Sequence, residues 1–359
     1  MSRQDNDFNG IADNILNQLD LKKEDFERIG VEIYENENMI NCNIDSYIQF
    51  DALISLLGCP NGQLDCNWNR FYRGVSNKNY DLICSLSVNN LEGVESEIIN
   101  DLYSRSPDKF SVCKTDFEMV ALMQHYGLPT RLLDFSRNPL VALWFACQQN
   151  KEDSFHDSDG AVYVAFSALQ APKRFINSTF KIALSDEWGK MSSLKNLFNT
   201  QELFDYVYDY YIFARNMIFL DAPVVDIRER NQQAVFLLGI NEIIVSNDNS
   251  IEHTVRSFNE WKEALRLILN DESGVRVKLG AIHCYDKENG SNKVLRIVIP
   301  SKTKQQILQE LSLRGIDESF IYPTLDNYCK QIKKHAIDKD IAQKTNTNTY
   351  LYFLQNGEK

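Results

Sequence analysis

Apolar positions along this chain recur with helical spacing in some stretches and form short uninterrupted runs in others. Residues 46–57 predict a helix that ends before Gly58 and Pro60. The almost wholly apolar run at 139–149 predicts a buried helix, with Asn138 as its N-cap and proline at its first position. Short apolar runs predict strands at residues 161–166, 235–238, 277–283 and 294–299. The pattern favours an α+β fold, a single domain with one mixed sheet and surrounding helices.

The N-terminal residues differ from this pattern. Residues 1–45 are polar and acidic, with weak helical patches around Ile15–Leu21 and Phe26–Tyr34. We therefore predict a helical N-terminal extension over residues 1–45, a main domain over residues 46–335 and a C-terminal tail over residues 336–359. The chain shows no internal repeat and no linker rich in proline, glycine or serine that would favour a second domain.

Composition restricts the class of protein. The chain has 43% hydrophobic and 25% charged residues, as is typical of soluble globular proteins. No apolar run approaches the ~20 residues that cross a bilayer, and the first residues do not form a secretory signal. Eight cysteines without a CxxC pair indicate reduced thiols and a cytoplasmic location. A net charge of −12 argues against extensive binding to DNA or to an anionic membrane. The five histidines lack metal-ligand spacing, so we expect no metal site.

A dense polar cluster directly precedes the predicted buried helix. Its side chains are Gln124, His125, Thr130, Arg131 and Asp134. On a strand over residues 130–134, alternate residues face opposite sides, so Arg131 and Asp134 would point apart. Each would then need a partner from another element or a ligand, because buried polar groups are costly unless they are paired. The alternative is structural: Asp134 caps a turn, Arg131 pairs with it, and His125 is a satisfied donor at the C-terminal end of the helix predicted from Thr115 to His125.

Two further polar clusters lie at the ends of predicted strands. Residues Trp68–Val75 predict a short strand that ends with Arg73 and Gly74, where glycine permits close approach and a guanidinium suits phosphate or carboxylate. Gln232 and Gln233 lie at the entrance of a later strand, where one of the two amides must face inward and can bind a base or a ribose. Each cluster has an ordinary alternative. Gly74 would form a turn, Arg73 would pair with an acidic neighbour, and the glutamines would bond to nearby backbone.

The motifs in these clusters resemble one known family. They are Phe71-Tyr72-Arg73-Gly74, the stretch Gln124–Asp134 that continues through Asn138-Pro139 to Phe145-Ala146, and Arg228 followed by Gln232-Gln233 and Phe236, with Ala234 in place of a usual glycine. Later matches lie at Ile299–Lys304, Leu311–Ile316 and Tyr322–Asp326. In these motifs the chain resembles the FRG domain proteins of bacteria and phages, over roughly residues 45–335.

A more distant resemblance is to the ADP-ribosyltransferase fold, in which a split sheet holds NAD. It implies that Arg73 or Arg131 would clamp the phosphates, and that Gln232, Gln233 or Asp134 would lie near the ribose hydroxyls. The implied catalytic residues are Arg73, Asp134, Gln232 and Gln233, and the implied ligand-binding residues are Gly74, Gln124, His125, Tyr126, Thr130 and Arg131.

Two hypotheses about function stay open. The catalytic carboxylate of that fold has no counterpart that the sequence identifies, and Glu229 is the acidic residue nearest to the glutamines. In the first hypothesis the chain is an NAD-dependent ADP-ribosyltransferase or NAD glycohydrolase, a toxin or anti-phage defence effector that acts on a macromolecular acceptor. In the second it is a non-catalytic module that binds a nucleotide or a partner protein, as the sensor of a defence or toxin system. Only the first requires a carboxylate beside the ribose.

Overall fold

The computed structural model describes residues 21–36, 39–58, 69–149, 158–167, 170–185, 197–214, 216–223, 227–246, 252–254, 259–260, 276–284, 294–325, 327, 329 and 332–333. The predicted C-terminal tail and residues 1–20 of the predicted extension lie outside these ranges.

The described strands form two sheets. They are β1 (Glu32–Asn36), β2 (Met39–Asn43), β3 (Asn69–Val75), β4 (Leu132–Ser136), β5 (Gly160–Ser167), β6 (Phe219–Asp221), β7 (Ala234–Leu238), β8 (Ile240–Ser246), β9 (Glu252–Thr254), β10 (Arg276–His283) and β11 (Val294–Ile299). The large sheet has the order β1-β2-β11-β5-β3-β4-β7-β6, and the small one has the order β10-β8-β9.

Helices surround the sheets. They are α1 (Lys23–Arg28), α2 (Tyr47–Gly58), α3 (Ser85–Val88), α4 (Glu95–Arg105), α5 (Pro107–Phe110), α6 (Asp116–His125), α7 (Pro139–Ala146), α8 (Lys173–Ala183), α9 (Thr200–Phe213), α10 (Ile227–Asn231), α11 (Ser301–Leu313) and α12 (Glu318–Ile321). Together with the sheets they confirm the α+β class. No helix in the described ranges is long and apolar enough to cross a membrane.

Strand pairing in the large sheet is mixed. Strands β2 and β11 run parallel, whereas every other neighbouring pair in this sheet is antiparallel. Strand β5 lies between β11 and β3, and all eight of its residues are buried. Its sequence is a continuous apolar run because both of its faces are covered.

Helix α7 packs closely on one face of the large sheet because two glycines remove the Cβ atoms that would obstruct it. A Cβ on Gly74 of β3 would lie 1.7 Å from the carbonyl oxygen of Ala142, and one on Gly160 of β5 would lie 2.1 Å from that of Ala146. The apolar face of α7 joins Val162, Val164 and other buried residues in one hydrophobic cluster. This contact brings the helix directly above the central strands.

Several element boundaries differ from the sequence prediction. The helix predicted around Phe26–Tyr34 ends at Arg28, and strand β1 follows, because Val31 and Ile33 are buried and β1 pairs with β2. The hairpin of β1 and β2 belongs to the large sheet, so the segment predicted as a helical, polar extension over residues 1–45 contributes two strands to the sheet in its described part. The strand predicted at 130–134 is Leu132–Ser136. Thr130 and Arg131 therefore precede the strand.

Candidate functional site

The large sheet is divided between β3 and β4, which lie next to each other in it. Strands β3 and β4 pair only at Tyr72 and Ser136. The Arg73 side chain leaves β3 on the face shared by Phe71 and Val75, and its Nη1 donates to the carbonyl oxygen of Asp134 at 2.7 Å. Burial lowers the pKa of Arg73, although the nearby Asp134 carboxylate opposes this effect. Arg73 thus connects the two strands where their pairing ends.

The carboxylate of Asp134 is exposed and held in one orientation by a short chain of hydrogen bonds. The Gln124 side-chain amide donates to Asp134 Oδ1 at 2.7 Å. The Thr130 hydroxyl donates to the amide oxygen of Gln124 and accepts from the backbone N–H of Leu132 at 3.2 Å. Because the Gln124 oxygen is occupied by Thr130, its NH₂ group must face Asp134. Asp134 is consequently an oriented acceptor that faces solvent.

A second polar group joins the end of α6 to α10. His125 Nδ1 lies 2.8 Å from Glu229 Oε1, and the two side chains are 16% and 13% exposed. Since a carboxylate only accepts, Nδ1 carries the hydrogen and leaves Nε2 as the second ring nitrogen. Arg228 Nη2 lies 3.5 Å from the same Nδ1 atom. Glu229 thus supplies a carboxylate beside His125 whose position the sequence did not indicate.

An aromatic wall borders these polar groups. The ring of Tyr322 lies 6.0 Å from Trp144 and 6.4 Å from Phe145, in edge-to-face geometry, and the Arg228 guanidinium lies 5.7 Å from its centre. Burial raises the pKa of Tyr322, Arg228 lowers it, and Asp134 raises it further. Arg228 and Asp134 thus both act electrostatically on the Tyr322 hydroxyl.

The structure gives other predicted site residues positions that serve the fold. The guanidinium of Arg131, 1% exposed, binds Glu95 and Asn241. Gly74 packs against α7. Gln232 donates its amide to the carbonyl oxygen of Ile321 at 3.1 Å. These contacts favour a structural role at all three positions, although Gly74 lies within strand β3 and not in the turn that its structural alternative predicted.

Two predicted residues lie at the edge of the site. Gln233 is exposed and has a positive φ of 47°, and its carbonyl oxygen accepts from the Arg137 N–H at 3.0 Å. Tyr126 is 59% exposed and its ring meets His125 edge-on at 5.5 Å.

Sequence reasoning missed Tyr322 as a site residue. It lies in a motif of the family resemblance, but nothing in the linear order places it beside Asp134. Among the described residues, no cluster of three or more His, Cys, Asp or Glu side chains could hold a metal ion.

Comparison with known families covers the core of this site. Residues 69–154 match the model of the FRG domain. The chain contains an FRG domain. The searches found no curated protein and no solved structure that matches this chain. The FRG match includes Arg73, Gln124, His125 and Asp134, whereas Glu229 and its neighbours lie beyond it. The candidate site is therefore completed by residues outside the matched segment of the FRG domain.

Proposed function

We propose that this site binds a nucleotide-type ligand, with NAD as the first candidate, and cleaves its nicotinamide–ribose bond. The observation that carries the proposal is the exposed, oriented carboxylate of Asp134, whose charge acts on Tyr322, the ring that the Arg228 guanidinium approaches. A carboxylate accepts hydrogen bonds from ribose hydroxyls, a guanidinium suits phosphate, and an aromatic ring offers a face to a base. The three chemical parts of a nucleotide thus each have a matching group.

The chemistry can be assigned to residues of this chain. As the C1′–N bond breaks, its electron pair goes to the nicotinamide nitrogen and removes the positive charge of that ring. The ribose carbon acquires oxocarbenium character, as in glycoside cleavage, and a nearby carboxylate stabilises it. We assign this role to Asp134. Water or an acceptor hydroxyl then bonds to C1′, and its proton passes to the His125–Glu229 pair.

In this proposal the protein is a toxin or anti-phage defence effector that hydrolyses NAD or transfers ADP-ribose to a macromolecule. The resemblance of its motifs to FRG proteins of bacteria and phages supports that setting. The site residues that we retain as ligand contacts are Asp134, Gln124 and His125, together with Arg228 and Tyr322. Arg73 holds the strand that carries Asp134.

Nicotinamide release from NAD by the purified protein tests the proposal, with and without cell lysate as a source of acceptors. We expect release by the wild type and at least a hundredfold less by Asp134→Asn, a range typical for loss of one transition-state contact. Asp221→Asn is the matched control, because Asp221 is an exposed aspartate that pairs with Arg137 outside the site. The catalytic assignment would be contradicted if the wild type and Asp134→Asn released nicotinamide equally. It would also be contradicted if the wild type released none, with or without lysate.

One observation favours a non-catalytic nucleotide sensor as a second candidate. Two of the four predicted catalytic side chains, Arg73 and Gln232, donate to backbone carbonyl groups of this chain. A site that only binds a ligand needs fewer polar side chains available to that ligand than a site that also cleaves it. NAD that raises the melting temperature of the wild type but not of Asp134→Asn, without nicotinamide release, would favour the sensor.

A further inference from the structure

Two neighbouring amide side chains hold the backbone directly before Tyr322. Asn231 Nδ2 donates to the carbonyl oxygen of Phe320 at 2.9 Å, and Gln232 Nε2 donates to that of Ile321 at 3.1 Å. Each of these bonds joins residues that are 89 positions apart in the chain. The end of α10 therefore holds two successive peptide groups of the distant helix α12.

Helix α12 is fixed by side chains on both sides. Before it, the Asp317 carboxylate accepts from the backbone N–H groups of Ser319 and Phe320, both at 3.0 Å. After it, the carbonyl oxygen of Tyr322 accepts from the Asn327 side-chain amide at 3.0 Å. A helix of four residues has little stability of its own, so contacts of this kind determine where it lies.

The same hydrogen bonds reach β4, the strand that carries Asp134. Ser136 lies two residues after Asp134 on this strand, and its hydroxyl donates to the carbonyl oxygen of Gln232 at 2.5 Å. The side chain of Gln232 then donates to Ile321, the residue next to Tyr322. A continuous series of hydrogen bonds thus connects the strand of the oriented carboxylate with the segment of the aromatic ring.

Helix α10 also contacts the ring of Tyr322 itself. Arg228 lies one helical turn before Asn231, so the two side chains project from the same face of α10. The guanidinium lies 5.7 Å from the centre of the Tyr322 ring, whose other aromatic neighbours are Trp144 and Phe145 of α7. One short helix therefore fixes both the backbone and the surroundings of this ring.

We propose that Asn231 and Gln232 are positioning residues of the candidate site, which hold Tyr322 where its ring can stack on the base of the ligand. This inference rests on the proposed function. The two amides act through Tyr322 and do not touch the ligand. A ring that is already held in place loses less conformational freedom when the ligand binds. Loss of the amides should therefore weaken binding and leave the bond-breaking step unchanged.

The kinetics of nicotinamide release by the full chain test this inference. Asn231→Ala should raise the KM for NAD about fivefold, as expected for loss of one hydrogen bond, with little change in kcat. Tyr322→Leu should raise the KM about tenfold, because it removes the stacking surface. In the Tyr322→Leu background, Asn231→Ala should raise the KM no further, since both substitutions remove the same interaction.

The matched control is Asn216→Ala. Asn216 Nδ2 donates to the carbonyl oxygen of Ile212, at the end of α9, at 3.0 Å. This substitution removes a bond of the same kind and should leave the KM for NAD at its wild-type value. If the protein binds NAD without cleaving it, the Kd for NAD replaces the KM in each comparison.

Hydrogen–deuterium exchange measures the positioning without any ligand. In Asn231→Ala the amides of residues 318–327 should exchange faster than in the wild type and in Asn216→Ala. Unchanged exchange in this segment would overturn the inference. So would an Asn231→Ala effect on the KM that persists in the Tyr322→Leu background.

Failure of the proposed function gives a different result. A wild type that neither binds NAD nor releases nicotinamide would contradict that function, and the exchange of residues 318–327 would still decide whether the amides hold Tyr322. If Asn231→Ala fails to fold, Asn231→Ser and Gln232→Ala replace it in both measurements.

Discussion

The buried ion pair of Glu95 and Arg131 offers a quantitative test of the fold. Their side chains are 5% and 1% exposed. Arg131 Nε and Nη2 bind the two carboxylate oxygens at 2.9 and 2.5 Å, and Nη1 donates to Asn241 Oδ1 at 3.0 Å. Glu95→Ala would leave the Arg131 charge buried with neutral partners. Removal of one member of a buried pair lowers the free energy of unfolding by about 3–5 kcal/mol.

The matched control is the exposed pair of Arg137 and Asp221, whose side chains are 44% and 78% exposed. Solvent screens this pair, so Asp221→Ala should change the free energy of unfolding by about 1 kcal/mol or less. Urea unfolding of both variants, followed by tryptophan fluorescence and circular dichroism, measures the difference.

The reasoning would be refuted if Glu95→Ala lowered the free energy of unfolding by no more than Asp221→Ala does. It would also be refuted if Glu95→Ala kept full stability but lost its response to NAD, because Arg131 would then serve a ligand rather than the fold. A double variant, Glu95→Leu with Arg131→Met, refines the test. It removes both charges and should recover much of the lost stability, since apolar replacements of a buried ion pair are often tolerated.

Three further substitutions follow from local geometry. Gly74→Ala should prevent folding, because its Cβ would lie 1.7 Å from the Ala142 carbonyl oxygen; soluble yield and circular dichroism report the outcome. Asn138→Ala removes the N-cap side chain of α7, whose oxygen accepts from the Leu140 N–H at 2.9 Å. The substitution should lower the free energy of unfolding, measured in urea, by about 1 kcal/mol. Gln232→Ala loses its bond to the Ile321 carbonyl oxygen and should also cost about 1 kcal/mol, whereas the exposed Gln233→Ala should change little in the same assay.

The sequence correctly predicted those helices and strands that are determined by residues within them or at their ends. Asn138 and Pro139 form the predicted N-terminus of α7, and the apolar run that follows Gly160 is the buried strand β5. The helix over residues 46–57 appears with its end at Gly58. In each case the cap, the proline or the apolar run lies within the element that it determines.

The partners of the site residues could not be predicted in this way, because they come from distant segments. Arg131 is 36 residues from Glu95, and His125 is 104 residues from Glu229. The polar density before α7 correctly indicated that these side chains need partners. It did not indicate that Arg131 would pair inside the fold while Asp134 stays exposed.

The parallel pairing of β2 with β11 has a consequence for how this chain is made. The β1–β2 hairpin is synthesised long before residues 294–299. The edge of β2 that pairs with β11 therefore stays unpaired until most of the chain has been synthesised. Contacts between such distant segments form slowly, and an unpaired strand edge is a site of association with other chains. Nascent chains that stop before residue 294 should therefore bind chaperones or aggregate, while completion of β11 covers that edge.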